Sequence, residues 1–161
     1  MFQKVESFIY LEAAKLDNAQ YEDWAEMYDE NCKYWIPSWQ TESQLVVEPS
    51  QELSLIYWNK QNINEYVQRL NSGDAHVMVP LPRSTRYITN IRIEQNNVNE
   101  FKVSSKWFLH DFRTGFNQGV QQFFGGDMEH HLISKGDSFL ITYKKVIVNN
   151  DNIKRGHLMI I

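Results

Sequence analysis

The residues best suited to bind a metal or move a proton in this 161-residue sequence are five histidines and one cysteine. They are His76, His110, His130, His131, His157 and Cys32. A zinc site built on cysteine pairs is excluded, because there is a single cysteine. No histidine lies close to Cys32 in the sequence, so a structural or incidental thiol is a better interpretation than a nucleophile.

The densest local cluster is Glu129-His130-His131. Consecutive side chains of a strand point to opposite faces, so His130 and His131 cannot easily share one ion. Glu129 and His131 share a face, but two ligands do not complete a metal site. The same alternation separates His110 from Asp111. We therefore expect a polar strand segment at an edge or interface, with no metal bound.

Acid–base, nucleophilic and phosphate-binding patterns are also missing. No carboxylate and histidine stand out as a pair by their spacing. The acidic residues near the second predicted helix suit its solvated face: Asp23, Glu26, Asp29 and Glu30. Gly125-Gly126 lies within a strand-like run, which predicts a bulge or a close backbone approach instead of a dinucleotide-binding loop. We assign no catalytic, cofactor-binding or metal-binding residue.

Composition indicates a globular protein, with 42% hydrophobic and 14% aromatic residues. The net charge is −4. The basic pairs are short: Arg83 with Arg86, Lys144 with Lys145, and Lys154 with Arg155. Nucleic acid is therefore not an expected partner. No apolar run approaches the length of a membrane span, and one cysteine suits a reducing compartment, so we expect a cytoplasmic protein.

Helical spacing dominates the first half of the sequence. Residues 2–16 carry one apolar face, made of Val5, Phe8, Ile9, Leu11 and Leu16. Asp17 and Asn18 interrupt it, and helical spacing resumes at Tyr21, Trp24, Met27 and Tyr28. A third helix is predicted over residues 62–71, ending at Gly73.

Strand patterns dominate the second half. Short strands at 33–36 and 53–58 flank a loop at 38–52, and residues 77–83 should be irregular. Long strands follow at 85–94, 100–113, 116–134 and 138–149, with turn residues at 96–97, 114–115 and 135–137 between them. We predict a single α+β domain over residues 1–161, in which a strongly curved, mostly antiparallel sheet wraps around the N-terminal helices.

Several of these segments resemble one known family. Residues 82–93 (PRSTRYITNIRI), 124–132 (FGGDMEHHL) and 139–149 (FLITYKKVIVN) are similar to strands of the small (beta) subunits of aromatic-ring-hydroxylating dioxygenases. The opening also matches, with two helices followed by Tyr34-Trp35-Ile36-Pro37. Order and spacing agree over nearly the whole chain, and the benzoate and anthranilate type is the most similar.

The resemblance implies a cystatin-like (NTF2-like) cone and a non-catalytic, structural role. It further implies a large (alpha) subunit as partner, commonly with three copies of each, which carries a Rieske 2Fe-2S cluster and a mononuclear iron. Electrons from NADH then drive cis-dihydroxylation of an aromatic acid in aromatic compound catabolism. A homotrimer of the chain alone is a further expectation. We expect the aromatic-rich segment 34–58 and the polar residues 129–131 to contribute to subunit contacts.

The metal-binding residue types in the sequence agree with the expectation that the large subunit carries the metal cofactors. A Rieske centre needs two cysteine and two histidine ligands, whereas the chain has only Cys32. Two alternatives stay open, a stand-alone NTF2-like dehydratase or isomerase and a small-ligand binding protein. The first requires a buried carboxylate or histidine of shifted pKa that faces a cavity, and the second requires only the cavity.

Overall fold

A computed structural model describes residues 1–49, 53–72, 82–114 and 119–150. In these ranges the chain forms α1 (Phe2–Asp17), α2 (Tyr21–Ala25), β1 (Tyr28–Pro37), β2 (Ser54–Trp58), α3 (Lys60–Asn71), β3 (Arg83–Gln95), β4 (Glu100–Arg113), β5 (Val120–Lys135) and β6 (Ser138–Val146). The predictions for Gly73, for residues 77–81 and for 115–118 lie outside the described residues, as do His76, His157, Lys154 and Arg155. No helix within the described ranges is long and apolar enough to cross a bilayer.

The buried face of α1 differs from the predicted one at a single position. Val5, Phe8, Ile9 and Leu16 are buried as expected. Leu11, however, is 49% exposed, while Glu12 is only 2% exposed. The helical repeat explains why Glu12 is buried in place of Leu11. Residue 12 lies seven, four and three positions after residues 5, 8 and 9, and these spacings put all four on one face of the helix. A carboxylate therefore enters the core on an otherwise apolar stripe.

The second helix is shorter than predicted, since α2 ends at Ala25 and β1 already begins at Tyr28. The carbonyls that a longer helix would use have other partners. Lys60 Nζ donates to the Ala25 oxygen at 2.6 Å and to the Tyr28 oxygen at 2.9 Å. The Met27 oxygen accepts from the Ile141 amide. Two of the acidic residues expected on this helix, Asp29 and Glu30, consequently lie on β1.

A reciprocal cap fixes the start of α3 two residues before the predicted start. The side chain of Asn59 accepts from the Asn62 amide at 3.0 Å, and that of Asn62 accepts from the Asn59 amide at 3.1 Å. This capping box satisfies two amides that the first helical turn leaves without intrahelical partners. The buried side of α3 presents Lys60, Ile63 and Val67 to the sheet and to α2.

The six strands form one sheet in the order β2-β1-β6-β5-β4-β3. Every neighbouring pair is antiparallel except β1 and β6, which run parallel. Register shifts interrupt four of the five pairings, and Asn90 in β3 adopts a left-handed φ of 54° at one of them. Such bulges bend and twist strands, so the long strands curve around the helices. The α+β prediction is confirmed.

The Gly125-Gly126 prediction is confirmed as a close backbone approach. The chain leaving β6 runs beside β5, where the Ile147 amide donates to the Asp127 oxygen and the Asn149 amide donates to the Gly125 oxygen. A Cβ atom on Gly126 would collide with the Ile147 carbonyl. The predicted strand to residue 149 thus ends at Val146 as a regular element, although the chain stays alongside β5.

Candidate functional site

A buried polar cluster lies where α1 meets the inner face of the sheet. We call it the Glu12 hub, and it consists of Glu12, Trp24, Tyr28, His130 and Lys144. One oxygen of the Glu12 carboxylate, Oε1, accepts from Lys144 Nζ at 2.7 Å, Tyr28 OH at 2.8 Å and Trp24 Nε1 at 3.2 Å. The other, Oε2, lies 2.9 Å from His130 Nε2. Five elements of the fold therefore meet at one carboxylate.

The charges of the hub are removed from solvent. Glu12 is 2% exposed, Lys144 1% and His130 0%. Burial alone raises the pKa of Glu12, but the Lys144 ammonium and the His130 ring outweigh it, and the pKa lies far below its ordinary value. Burial lowers the pKa of Lys144 against the opposing effect of Glu12. At neutral pH, the hub therefore holds a carboxylate–ammonium pair.

His130 completes the hub as a neutral ring. Burial lowers its pKa, although the Glu12 charge acts in the opposite direction. Because Nε2 faces a carboxylate, Nε2 carries the proton and donates a hydrogen bond to Glu12. Nδ1 is buried and has no hydrogen-bond partner among the described residues. A second proton on this ring would place an N–H group without an acceptor in the core.

Aromatic rings enclose the hub on the side of β1. Trp24 and Tyr28 pack edge to face with centroids 5.0 Å apart, and each lies 6.3 Å from the Tyr34 ring. Lys144 Nζ lies 5.5 Å from the Tyr34 centroid, within cation–π range. Burial, followed by the Glu12 charge, raises the pKa of Tyr28 well above its ordinary value, so its hydroxyl acts as a donor.

A buried glutamate and histidine with shifted pKa values form the kind of pair that acid–base catalysis uses. Catalysis would also need access for a substrate, and the burial of Glu12, His130 and Lys144 opposes it. Two sizeable cavities lie elsewhere in the described part of the chain. One of about 860 Å³ runs between β1 and α3 from Glu30 to Gln68, and one of about 570 Å³ lies beside the start of α1 near Asp137. The geometry thus favours a structural hub over a catalytic pair.

The Glu129-His130-His131 cluster divides between the two faces as predicted. His130 points inward to the hub, whereas His131 Nε2 donates to Glu129 Oε1 at 2.8 Å on the outer face. Lys102 Nζ completes this outer group, 3.1 Å from Glu129 Oε2. The prediction of an edge or interface is wrong for His130, since a fully buried ring on a central strand can contact no partner.

The other residues considered for chemistry lie apart from the hub. Asp111 is buried and accepts from Arg113 and Ser84, while His110 points outward and lies 3.2 Å from the Gln121 side chain. Cys32 is buried, and burial raises the pKa of its thiol to about 11, which keeps the thiol protonated. Within the four described ranges, no three His, Cys, Asp or Glu side chains are placed to hold a metal ion.

The outer side of β3, β4 and β5 carries exposed rings. Tyr87 is 58% exposed, Phe108 43% and Phe123 52%. The Phe108 centroid lies 6.2 Å from that of Tyr87 and 5.8 Å from that of Phe123, and His110 stacks on Phe123 at 4.9 Å. We call these four residues the outer aromatic face. Contiguous exposed rings on a rigid sheet are typical of protein interfaces.

A sequence signal for the hub exists, although it is indirect. Each ionisable member occupies a position where its element otherwise presents apolar residues to the core: residue 12 on α1, residue 130 between Met128 and Leu132, and residue 144 between Ile141 and Val146. Charged residues are rarely fully buried without a partner, so three such positions together imply contact. Spacing along the chain conceals this, because 118 residues separate Glu12 from His130.

Comparison with known proteins adds to this geometry. A family model described as ring hydroxylating beta subunit matches residues 11–155. Toluate 1,2-dioxygenase subunit beta of Pseudomonas putida is 31% identical over 155 residues, covering 96% of this chain and 93% of that protein. The anthranilate 1,2-dioxygenase small subunit of Acinetobacter baylyi is 32% identical over 153 residues, covering 92% and 90%.

Among solved structures, the beta subunit of benzoate 1,2-dioxygenase from Burkholderia mallei has the same fold. Its TM-score is 0.75 at 24% sequence identity, and the match covers 96% of this chain and 95% of that chain. The match thus spans nearly the whole of both chains.

Proposed function

Since the chain belongs to the family of ring-hydroxylating beta subunits, we propose that it acts as the non-catalytic subunit of a dioxygenase for an aromatic acid. As a member of this family it is the small subunit of an oxidoreductase complex with a large-subunit partner. Benzoate, toluate and anthranilate are the substrates in the names of its relatives, which supports an acid of this class.

The single observation that carries the non-catalytic role is the closure of the Glu12 hub. The ionisable groups best placed for chemistry, Glu12, His130 and Lys144, satisfy one another and are buried. Their contacts tie α1 to β5 and β6. The use of these ionisable groups to join parts of the fold supports a scaffold role more than that of a stand-alone dehydratase, isomerase or ligand-binding protein.

The described residues of this chain do not fit the expected metal cofactors. A Rieske 2Fe-2S cluster needs two cysteines, and the chain has only Cys32, which is buried. A mononuclear iron site needs two histidines and a carboxylate around open positions, while His130 and His131 point to opposite faces of β5. We therefore assign both metals, and the use of NADH as electron source, to the large subunit and its redox partners.

We propose the outer aromatic face as part of the surface that contacts the large subunit. Buried aromatic anchors supply much of the binding free energy in protein interfaces. Within the segment 34–58, which the sequence predicted to form contacts, Tyr34 and Trp35 are buried, but Leu55 and Tyr57 are exposed and suited to the same role. The Glu129–His131 pair on the outer face also remains available.

Three further parts of the proposal concern organisation. We propose an assembly of three large and three small subunits, with a homotrimer of the small subunit when it is alone. We also propose that residues 1–161 form a single domain and that the protein is cytoplasmic. The continuous sheet and the shared hub support one domain, because helices from the N-terminal part bond to strands near residue 144.

The test is co-purification of the tagged chain with the large subunit from the same operon, with iron analysis of complex and isolated chain. The expected result is an iron-containing complex and an iron-free, inactive small subunit. The variant Phe108→Ala/Phe123→Ala should weaken association roughly 30-fold or more, because each ring is a candidate anchor. Tyr10→Ala on α1, where the ring is 45% exposed, is the matched control and should bind normally.

Three outcomes would count against the proposal. Iron or activity in the isolated chain would contradict the non-catalytic role. Unchanged affinity of the double variant would remove the outer aromatic face from the large-subunit contact. Loss of self-association with retained large-subunit binding would assign that face to a second copy of the chain.

A further inference from the structure

We propose that the interior of this fold is a binding site for a small carboxylate and that the side chain of Glu12 is its resident ligand. This inference is independent of the proposed function, because it concerns the described core alone. Four donors converge on one carboxylate: Trp24 Nε1, Tyr28 OH, His130 Nε2 and Lys144 Nζ. They come from α2, β1, β5 and β6, and none comes from α1, the helix that supplies the ligand.

The donors are held in place by contacts that do not involve Glu12. Trp24 and Tyr28 pack against each other and against Tyr34, whose ring also lies beneath Lys144. The backbone of His130 is held on β5 by its pairing with Val103 of β4 and Lys144 of β6. We therefore expect the donor arrangement to persist, in its main features, when only the end of the Glu12 side chain is removed.

Removal of the Glu12 carboxylate leaves a buried ammonium and three other buried donors without an acceptor, so binding of an anion there is favourable. A buried ammonium without a counter-charge is costly, and so are buried N–H and O–H donors without acceptors. Three donors meet Oε1 and one meets Oε2. A ligand with two linked oxygens satisfies both groups, whereas a single halide ion satisfies one. The chemical class of the ligand is accordingly a small monocarboxylate.

Size makes the proposal specific. Glu12→Ala retains the β-carbon and removes the atoms of acetate, whereas Glu12→Gly removes those of propionate. If the site binds a carboxylate, the best ligand should change with the variant: acetate for Ala and propionate for Gly. General effects of salts on stability would rank the acids identically for both variants, so the change of rank separates binding from salt effects.

The experiment measures the Tm of the full chain in formate, acetate or propionate against chloride at equal ionic strength. We expect acetate to raise the Tm of Glu12→Ala by several degrees at about 0.1 M, with saturation, because a ligand that binds only the folded state stabilises it. Propionate should do the same for Glu12→Gly. Wild type and Glu12→Gln should not respond, because both side chains fill the space.

A second variant tests the role of the cation. In Glu12→Ala/Lys144→Met the hub has no ammonium, so the acetate response should be lost even though the cavity remains. Where Glu12→Ala is unfolded in chloride, recovery of the folded fraction by acetate replaces the Tm shift as the readout.

Several results would overturn the proposal. These are equal responses to acetate and chloride, an equal response of wild type, and the same rank of acids for the Ala and Gly variants. Failure of both variants to fold in every acid would do so as well, since a site that binds its ligand restores the fold.

Discussion

The two faces of β5 and β6 carry the same residue types in very different surroundings. His130 and His131 are neighbours in sequence, as are Lys144 and Lys145. On the inner face, His130 and Lys144 are buried and both bond to Glu12. On the outer face, His131 bonds to Glu129, and Lys145 Nζ lies 4.3 Å from the Trp35 centroid at the edge of solvent.

The difference shows how strongly the environment decides the role of a side chain. On the outer face, water screens each charge, and an ion pair such as Lys106 with Asp127 contributes little to stability. On the inner face, Glu12, His130 and Lys144 are buried, so removal of one partner leaves the others as buried polar groups without compensation. Comparing identical substitutions on the two faces therefore measures what burial does to one chemical group.

The largest expected effect is that of Lys144→Met. This substitution keeps a similar length but leaves Glu12 as a buried carboxylate without its ammonium, so we expect a loss of about 3–5 kcal/mol in the free energy of unfolding. Lys145→Met removes a cation from the face of Trp35 and should cost about 1 kcal/mol or less. Urea denaturation of the two variants and the wild type measures the difference.

Similar losses for both lysines would contradict the comparison. A Lys144→Met variant as stable as wild type would also contradict it. Such a result would mean that Glu12 takes up a proton and is neutral in the variant. The m-value should stay constant across the series, because the surface exposed on unfolding does not change.

The sequence predicts the fold better than the hub, for a physical reason. Strand alternation and turn residues are local, and the predicted strand over 100–113 coincides with β4. Alternation also placed His130 and His131 on opposite faces, as the structure has them. The start of β1 was missed because its first residues mix acidic and aromatic side chains, a pattern that also suits a helix.

The hub could not be predicted in this way because its members are distant in sequence. On α1, apolar character alone favoured Leu11 over Glu12 for the core. The choice is decided by Lys144 and His130, which offer donors to a carboxylate only after the sheet has folded around the helix. Tertiary partners thus override the local preference of a residue for solvent.

The second prediction concerns pH and the two histidines. Because the pKa of His130 is lowered in the folded state, the unfolded chain binds more protons as the pH falls below the ordinary histidine value of about 6.5, and stability is lost there. One such group contributes a slope of up to about 1.4 kcal/mol per pH unit. His130→Gln keeps a donor to Glu12 but cannot take up a proton, so it should flatten this slope.

The matched variant is His131→Gln on the outer face, which leaves His130 in place and should therefore keep the loss of stability that the buried ring causes between about pH 6.5 and 5. Denaturation midpoints at several pH values measure both variants. A slope unchanged in His130→Gln would exclude this ring as the source of acid sensitivity. The pKa of Glu12 is lowered as well, but protonation of Glu12 reduces stability only at pH values below the ordinary glutamate pKa of about 4.3. A titration continued below that pH therefore separates the effect of Glu12 from that of His130.

The smallest expected effect belongs to the outer carboxylate. Burial raises the pKa of Glu129, but bonds from Lys102 and His131 outweigh it and leave the pKa lowered. Both partners are half-exposed, so water replaces the lost contacts and Glu129→Gln should change the free energy of unfolding by no more than about 1 kcal/mol. Salt should reduce even this difference, because exposed pairs are screened.

Glu12→Gln provides the comparison, since it makes the same chemical change on the inner face. It leaves Lys144 buried beside a neutral amide, so its cost should exceed that of Glu129→Gln several-fold and should persist at high salt. Equal and salt-sensitive effects would show that water reaches the hub. That result would reopen the question of whether the Glu12–His130 pair can meet a substrate, because access is the condition for acid–base chemistry that the buried hub does not meet.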